Sequence, residues 1–499
     1  MANLLDNSVN QRFSSRLGLL LSALGIAVGT GNIWRFPRIA AQSGGDTGAG
    51  AFLIAWLIFL FLWSIPLIIA EYALGRKFRA GVIGIFLKAV GQRLSWMGTF
   101  VAFVSTAIAF FYTVVVGWCI YYFIHTLTHQ LPLTTEASLA TWNTYQQSGW
   151  RFLFHFLAVG LGAMAIWKGI NSIERVNKIL IPVLLIIVII SVIRAVTLPG
   201  AFDGVKYLFT PEWSQLLRPE TWLAALTQNA WDTGAGWGLF LTYAAYMQSR
   251  HKVVKNAFLT GIGNNTVSLL AAIMIFGTVF SVLQIEMGMS DAETLEIMRS
   301  SGPASTGLTF IWMPQLFARM FMGTPLAILF FLGLTFAGFS SVIAMLELAA
   351  RVLVDTGLKR SQAIIIIVLF IYLLGLPSTG NLNILSNQDY VWGIGLMISG
   401  AFIAFAVMKN KTSVISAEIN TIPNDWKTGW YWSVIIRIFI PFAAFILLVW
   451  WMFLSATVFA PDDWYNPFNP FSIMTCLVQW FLVLGVFIVF NRKISGLIS

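Results

Sequence analysis

Two glycine-rich segments interrupt long apolar stretches of this sequence. One runs from Ala27 to Asn32 and the other from Asp232 to Gly238. In hydrocarbon every backbone N–H and C=O needs a partner, so non-helical backbone persists only where protein encloses it or it lines a cavity. The free start of a half-helix attracts an anion, and the free carbonyls at a half-helix end attract a cation. Two such interruptions therefore indicate a binding site for a solute and cations near the middle of a membrane.

The elements that carry these segments are transmembrane helices. Of the 499 residues, 58% are hydrophobic and only 10% are charged, which is too few charges for the surface of a soluble protein of this length. We predict an all-α polytopic membrane protein with 12 transmembrane helices, at residues 17–41, 48–75, 94–126, 152–167, 178–198, 221–247, 256–284, 324–354, 362–377, 390–408, 430–456 and 473–490. The interruptions fall in the first and the sixth.

The net charge of +10 does not indicate a nucleic-acid partner, because of where the basic residues lie. Most of the 30 Lys and Arg residues fall in alternate loops, on the side of the membrane that holds the start of the chain; Arg76, Lys77 and Arg250 are examples. Basic loops stay on the cytoplasmic side and face anionic lipid. We therefore expect a multi-pass protein of the inner or plasma membrane, in contact with lipid, with both termini in the cytoplasm.

Span parity indicates an internal repeat. The two interrupted helices are five spans apart, and each crossing reverses the chain direction. The first five spans (15–198) and the next five (221–408) are predicted to be repeats of opposite orientation, followed by two additional spans at 430–490. Residues 1–499 then form one transmembrane domain, as a monomer or a homodimer. The apolar segment within 285–323 is too short to span, and we expect either a hairpin that caps an outer vestibule or a packed loop.

Three motifs resemble those of the neurotransmitter:sodium symporter family. They are Arg16-Leu17-Gly18, the string GTGNIWRFP from Gly29 to Pro37, and EYALGR from Glu71 to Arg76. The resemblance covers roughly residues 15–490, and the GTGNIWRFP string is its most specific part. It implies the leucine-transporter fold, a 5+5 inverted repeat with broken helices 1 and 6. It also implies a sodium-coupled carrier that works by alternating access.

The resemblance implies a substrate pocket around the two breaks. Backbone N–H groups of Thr30 and Gly31 would meet an anionic substrate group, and the Tyr112 hydroxyl would hold its carboxylate. Further pocket positions match residues that are mostly apolar or small: Ile108, Trp231, Gly234, Trp237, Ser341 and Met345. Gly29 stands where monoamine carriers have an aspartate, which suggests a substrate with its own carboxylate, as in an amino acid. The two Trp rings leave a methylated ammonium open as the alternative.

The resemblance also implies two sodium sites built from oxygen atoms, which hard cations prefer. The ligands of the first would be Ala27, Asn32, Asp232 and Asn264. The ligands of the second would be the carbonyls of Gly25, Val28 and Ala337 with the hydroxyls of Ser340 and Ser341.

Asp232 departs from the family pattern, which has Ser or Thr there as a ligand of sodium or, in animal members, of chloride. Gln228 matches that region, and Trp56 replaces a chloride-site tyrosine. In chloride-independent bacterial members a carboxylate on span seven supplies the negative charge, and here span seven has Ser268, one turn after Asn264. An ionisable group inside a membrane is functional by default. We expect Asp232 to replace chloride, so that chloride is not required; a protonated, structural Asp232 and a proton-coupling Asp232 stay open.

Two gates complete what the resemblance implies. The outer gate would be an ion pair above an aromatic lid, Arg35 with Asp389 over Tyr112 and Trp231. The inner gate would contain Tyr246 and Asp355, with Arg12 as the candidate partner of Asp355.

The sequence therefore predicts a sodium-coupled symporter that imports a small solute, with a neutral amino acid as the leading class. A carrier of a methylated ammonium or another amine is one alternative, and a substrate-gated channel or sensor on the same fold is another. An enzyme is not expected, because the four histidines have no catalytic spacing.

Overall fold

Helices begin and end close to the limits of the predicted spans. The computed structural model describes residues 11–300 and 302–498, and these ranges contain helices and no strands. The helices of the first half are α1 Arg16–Ala27, α2 Thr30–Ile33, α3 Arg35–Ser43, α4 Gly50–Phe59, α5 Ile65–Phe78, α6 Val82–Val90, α7 Trp96–Thr128, α8 Thr135–Gln147, α9 Trp150–Ile166, α10 Ile170–Val196 and α11 Ala201–Phe209. Those of the next part are α12 Pro219–Asp232, α13 Leu239–Ala244, α14 Val254–Phe280, α15 Asp291–Arg299, α16 Met313–Ala318, α17 Gly323–Asp355, α18 Arg360–Gly380 and α19 Leu382–Lys409. The last are α20 Thr412–Asn420, α21 Trp430–Val434, α22 Ile440–Leu454, α23 Ile473–Val489 and α24 Asn491–Ile498.

The predicted spans differ in how completely a single helix forms them. Within the described residues, eight helical stretches are long and apolar enough to cross a membrane alone, and two bent helix pairs raise the number to at most ten. The first and sixth predicted spans are not among these, because each is divided into shorter helices. The chain is thus a multi-pass membrane protein, and the total of twelve crossings stays a prediction.

Two helices start earlier than hydropathy predicts. Helix α10 begins at Ile170 rather than 178, and α19 begins at Leu382 rather than 390. Both extensions are polar in sequence, so an apolar window omits them. They are helical because neighbouring helices, rather than lipid, surround them: Glu174 and Asn177 are buried within α10, and Leu385 is buried within α19.

The first interruption separates α1 from α2 at Val28 and Gly29. Both residues have extended backbone, with ψ of 98° at Val28 and φ of −116° at Gly29. The Asn32 side chain accepts a hydrogen bond from the Gly29 N–H at 2.7 Å, which replaces the helical partner that this group lacks. The carbonyls at the end of α1 point into the same gap.

The second interruption separates α12 from α13 and depends on glycine conformations. Gly234, Gly236 and Gly238 have φ of +70°, +88° and +79°, a left-handed region that side chains disfavour. The buried carboxylate of Glu71, on α5, accepts hydrogen bonds from the N–H groups of Gly236 (2.7 Å) and Leu241 (3.2 Å). A carboxylate from another helix therefore satisfies the backbone that the break exposes.

Long helices hold the interrupted ones in place. Helix α7 packs against α17, α9 and α19, and α10 packs against α14 and α1. The half-helices α12 and α13 pack against α4 and α5. The segment between 285 and 323 folds as α15 and α16 with buried apolar residues such as Phe310 and Leu316. Ala304, within it, lines the central cavity, which is compatible with both a capping hairpin and a packed loop.

Replacing Glu71 should destabilise the second break. In Glu71→Gln one carboxylate oxygen becomes an amide NH₂, which cannot accept a hydrogen bond and would face a backbone N–H. We expect the free energy of unfolding to fall by about 1–3 kcal/mol, the cost of an unsatisfied buried donor. Thermal unfolding of the purified protein in detergent measures the change.

The matched control is Glu418→Gln, which removes the surface ion pair of Glu418 with Lys77. Exposed pairs contribute about 0–1 kcal/mol, so its melting temperature should stay close to that of the wild type. Equal losses in the two variants would contradict a special role for Glu71.

Candidate functional site

A cavity of about 740 Å³ lies between the two interruptions. It extends from the breaks toward the predicted outer side, where residues 302 and 304–306 and Phe471 line it. Eight of the nine predicted substrate-binding residues line it: Thr30, Gly31, Tyr112, Trp231, Gly234, Trp237, Ser341 and Met345.

Ile108 is the exception. Its side chain is fully buried, and the lining residues from α7 are Phe111, Tyr112 and Val115. The cavity ends one helical turn above Ile108, so this residue packs below the pocket and does not line it.

Helix α19 contributes a row of lining residues, of which the sequence analysis identified only Asp389. They recur at about four-residue intervals, and they are Leu385, Ser386, Asp389, Tyr390, Gly393, Ile394 and Met397. This spacing places them on one helical face. The polar and small residues of this row (Ser386, Asp389 and Gly393) recur at helical spacing, and this spacing could have indicated a cavity-facing side of α19. The apolar residues between them made the pattern hard to recognise.

The Tyr112 hydroxyl lies directly against the first break. It accepts hydrogen bonds from the Thr30 N–H (3.1 Å) and from the Thr30 hydroxyl (3.0 Å). A Cβ atom on Gly29 would lie 2.9 Å from Ser341 Oγ and 3.0 Å from Tyr112 Oη. A side chain at Gly29 would therefore require Ser341 or Tyr112 to shift, whereas a Cβ on Gly31 would meet nothing within 4 Å.

Two indole rings form the side of the cavity next to the second break. The rings of Trp231 and Trp237 are edge to face, with centroids 5.3 Å apart. The Trp237 N–H donates to the Ala230 carbonyl at 3.0 Å, which fixes that ring. The Arg35 guanidinium lies over the Trp231 ring, 5.0 Å from its centroid. A cation of this chain is therefore already placed on one of the two aromatic faces.

The four residues predicted for the first sodium site meet at the two breaks. One terminal atom of the Asn264 amide lies 3.0 Å from the Ala27 carbonyl oxygen and 3.1 Å from the Asp232 carbonyl oxygen. The Asn32 amide nitrogen is 2.8 Å from the same Asn264 atom and 2.7 Å from Ser268 Oγ. The side chains of Asn32 and Asn264 are fully buried. The carbonyl oxygens of Ala27 and Asp232 thus lie beside two buried amide groups and a hydroxyl, and the sodium ion at this place stays a prediction.

The residues predicted for the second sodium site also converge. Ser340 Oγ is 3.3 Å from the Val28 carbonyl oxygen and 2.9 Å from that of Ala337, and Ser341 Oγ is 3.5 Å from the latter. Gly25 packs against Ser340, since a Cβ there would lie 3.3 Å from Ser340 Cβ. Carbonyls at the end of α1 thus face paired hydroxyls on α17, which is again an oxygen-rich group suited to Na⁺.

Asp232 is buried beside the first oxygen cluster. Its Oδ2 lies 3.4 Å from the Gln228 amide nitrogen and 3.3 Å from Ser268 Oγ, and its Oδ1 has no hydrogen-bond partner within the described residues. Trp56 does not join this group through its indole: Nε1 has no hydrogen-bond partner in the described part of the chain, and the ring packs on Phe36. The structure therefore brings Asp232, Gln228 and Ser268 together and leaves Trp56 in the apolar packing.

A profile of the sodium:neurotransmitter symporter family matches residues 10–151 and 149–494, which is nearly the whole chain. The chain belongs to the sodium:neurotransmitter symporter family. It is a sodium-dependent symporter of the membrane and not an enzyme.

Individual relatives agree with this assignment. An uncharacterised sodium-dependent transporter of Methanocaldococcus jannaschii is 32% identical over 383 residues, which cover 74% of this chain and 75% of the relative. The sodium-dependent serotonin transporter of Drosophila melanogaster is 29% identical over 79% of this chain and 68% of its own length. The crystal structure of MhsT in complex with L-phenylalanine has a TM-score of 0.76 and 29% identity, and the match covers 88% of this chain and 99% of that one. MhsT has the leucine-transporter fold, so the predicted fold class is confirmed, while the twelve spans and the inverted repeat stay predictions.

The two residues predicted for the outer gate do not form an ion pair. Arg35 and Asp389 both line the cavity, but no ion pair within 4.0 Å joins them among the described residues. The residues predicted as the lid are in place, with Tyr112 at the first break and Trp231 beneath Arg35. The cavity is consequently continuous from the breaks to the predicted outer side.

The structure does not bring Arg12 and Asp355 together. Asp355 pairs with Arg351, one turn earlier on the same helix, at 2.8 Å. Arg12 instead reaches the Ala245 carbonyl at 3.4 Å. Tyr246 donates to the buried carboxylate of Glu347 at 2.7 Å. Arg351, on α17 itself, therefore pairs with Asp355 in place of Arg12, the partner that the resemblance implied.

Phe13 packs against the end of α13 and the segment that follows it. Its side chain is fully buried, and its ring lies 5.9 Å from that of Tyr243. The Phe13 N–H donates to the Tyr246 carbonyl (3.1 Å), and the Gln248 side-chain amide donates to the Phe13 carbonyl (2.6 Å). The segment before α1 is therefore held to the end of α13 and the segment after it by an apolar side chain, one backbone hydrogen bond and one hydrogen bond from a side chain.

Removing the Phe13 ring should open the cytoplasmic side, whereas removing the Arg12 charge should not. Truncating a buried Phe costs about 3–5 kcal/mol in the packed state, which favours the inward-open one. A reporter cysteine at Leu24, in a background with Cys119 and Cys476 replaced, would measure this by its rate of reaction with a polar thiol reagent. We expect an increase of about tenfold or more for Phe13→Ala and less than twofold for Arg12→Ala. A larger increase for Arg12→Ala than for Phe13→Ala would instead support Arg12 as the gate residue.

Proposed function

We propose that this symporter imports a neutral amino acid with Na⁺ and does not require chloride. The observation that carries the substrate class is the environment of Gly29. Gly29 has no side chain and therefore offers no carboxylate to an amine, and Ser341 Oγ and Tyr112 Oη lie 2.9 and 3.0 Å from the place of a Cβ. We therefore expect the substrate to bring its own carboxylate to this end of the cavity, where the Tyr112 hydroxyl and the backbone of Thr30 and Gly31 lie.

The donors for a substrate carboxylate come from the first break and from α7. The Tyr112 hydroxyl can turn from Thr30 toward the cavity and donate, because a hydroxyl has one proton and two acceptor positions. The N–H of Gly31 opens the same half-helix, where the first N–H groups have no helical partner. Hydrogen bonds to a charged group contribute about 1.5–3 kcal/mol each, which is enough to select a carboxylate.

The aromatic side of the cavity favours an apolar side chain over a cationic group. A cage for a methylated ammonium requires aromatic faces free for the cation. Here the Arg35 guanidinium covers Trp231, so a second cation on that ring would be repelled. An apolar or aromatic amino-acid side chain against Trp231, Trp237 and Met345 meets no such cost. The MhsT structure, which contains L-phenylalanine, supports the same class.

Sodium would couple to the substrate through the ends of the half-helices. Both proposed ions lie against carbonyls at the end of α1, and the first also lies against the carbonyl at the end of α12. Because α2 begins three residues after Ala27, an ion that orders these carbonyls also orders the N–H groups that meet the carboxylate. Each charge that enters down the membrane potential supplies about 2.3 kcal/mol per 100 mV.

Asp232 would supply the negative charge that chloride supplies elsewhere in the family. Its carboxylate contacts Gln228 and Ser268, which are the residues of the predicted chloride region. Ser268 also accepts from Asn32, so the carboxylate is one hydroxyl away from the first sodium cluster. An anion in this place offsets the positive charge of the bound ions without a second solute.

The substrate class can be tested by binding to the purified protein. We expect thermal stabilisation by apolar amino acids in the presence of Na⁺ and none by the corresponding amines, amino-acid methyl esters or betaines. Tyr112→Phe should weaken the binding of the amino acid about tenfold or more through loss of a hydrogen bond to a charge. The control is Tyr122→Phe on the same helix, which should bind as the wild type does. Stabilisation by amines would reject the proposal, and substrate-opened currents without accumulation in vesicles would indicate a channel.

The chloride proposal has a separate test in reconstituted vesicles. Wild-type uptake should be equal in chloride and gluconate media. Uptake by Asp232→Ser should be at least tenfold lower than that of the wild type in gluconate and should recover in chloride. Since Ser268 Oγ touches the Asp232 carboxylate, Ser268→Asp in the Asp232→Ser background should restore chloride independence. Unchanged anion dependence in Asp232→Ser would refute the replacement, and a proton-coupled Asp232 would instead show uptake that follows the pH gradient.

A further inference from the structure

Three helices meet at Gly25, on the cytoplasmic side of the second oxygen cluster. A Cβ atom on Gly25 would lie 3.1 Å from Asn177 Oδ1 on α10 and 3.3 Å from Ser340 Cβ on α17. Ser340 itself contacts the Val28 and Ala337 carbonyls of the proposed second sodium site. The absence of a side chain at Gly25 thus places the Asn177 amide next to that site.

The Asn177 amide has no partner in the protein. The residue is fully buried, and neither Oδ1 nor Nδ2 forms a hydrogen bond within the described residues. Leaving a buried polar group unsatisfied costs about 1–3 kcal/mol, and the cost is higher without water nearby. Buried polar groups in folded proteins nearly always have a partner, so an ordered water or an ion is expected beside this amide.

A second buried oxygen lies on the facing helix. Ser22 is fully buried, and its hydroxyl also lacks a partner in the described part of the chain. Gly18, Ser22 and Gly25 have the spacing of one face of α1. Gly18 packs against Glu174 and Gly25 against Asn177, so this face of α1 lies along α10.

The polar row between α1 and α10 ends at a carboxylate near the cytoplasm. Glu174 accepts hydrogen bonds from the Ser14 N–H (2.7 Å), the Ser14 hydroxyl (2.6 Å) and the Ser15 hydroxyl (3.0 Å), and it pairs with Lys178 at 2.7 Å. Glu174 is therefore satisfied, in contrast to Asn177 and Ser22. The two unpartnered groups lie between this carboxylate and the second sodium cluster.

We propose that Asn177 and Ser22 form an accessory sodium position on the cytoplasmic side of the second sodium site. A carboxamide and a hydroxyl are neutral oxygen ligands of the kind that the second site already uses, and a monovalent cation needs no carboxylate at this depth. An ion at the second site shares its coordination with this position and passes through it toward the cytoplasm. The inference rests on the proposed second sodium site.

The test measures sodium binding without transport. The sodium concentration that half-maximally stabilises the purified protein against heat, with no amino acid present, should rise about fivefold in Asn177→Leu and about twofold in Ser22→Ala. It should fall about fivefold in Asn177→Asp, because a carboxylate binds Na⁺ more tightly than an amide. The ratio of lithium to sodium affinity should change in Asn177→Leu, since only a direct ligand affects the choice between ions of different size. Ser191→Ala, a buried hydroxyl farther along α10, is the control and should match the wild type.

Each failure has a distinct result. If Asn177→Leu binds sodium and lithium as the wild type does, the accessory position is refuted while the second site stands. If Asn177→Leu does not fold, Asn177→Asp and Ser22→Ala decide by the same measurement, and unchanged sodium affinity in both refutes the position. If sodium does not stabilise the wild type at all, the proposed sodium sites themselves fail.

Discussion

The requirement that every peptide group inside the membrane has a partner governs the rest of this structure. At the first break, the Asn32 side chain accepts a hydrogen bond from the Gly29 N–H, and the Tyr112 hydroxyl accepts one from the Thr30 N–H. At the second break, the Glu71 carboxylate accepts hydrogen bonds from the N–H groups of Gly236 and Leu241. Donors are thus satisfied by side chains from the same or other helices. Carbonyls at the ends of α1 and α12 remain clustered with amide and hydroxyl oxygens, and cations are the natural partners of such a group.

The same geometry explains why ion and solute can act on each other. The end of one half-helix and the start of the next are separated by two residues at the first break, so an ion and a solute bound as proposed would contact one short segment of backbone. The residues predicted for the two gates are arranged differently. On the predicted outer side, Arg35 and Asp389 form no ion pair within the described residues, and the Arg35 guanidinium lies over the Trp231 ring. On the opposite side, Phe13 is fully buried, and Asp355 pairs with Arg351 on the same helix.

Two buried polar side chains lie next to the two oxygen clusters. Asp232 introduces a carboxylate next to the first oxygen cluster, and Ser268 connects the two through hydrogen bonds. Asn177 introduces an amide next to the second. Burial of these groups is costly unless an ion or a partner compensates.

The sequence alone determined the family, the helical class and the approximate limits of most spans, because hydropathy and glycine conformation are local properties of the chain. It also identified the two interruptions and most of the cavity residues through a motif that lies within a few residues of the first break. Tertiary structure alone decided which side chains meet across the fold. Ile108 lies below the cavity floor, Arg351 rather than Arg12 pairs with Asp355, and the starts of α10 and α19 are helical although polar. These outcomes depend on contacts between residues far apart in the chain, whose distances no local pattern of residues contains.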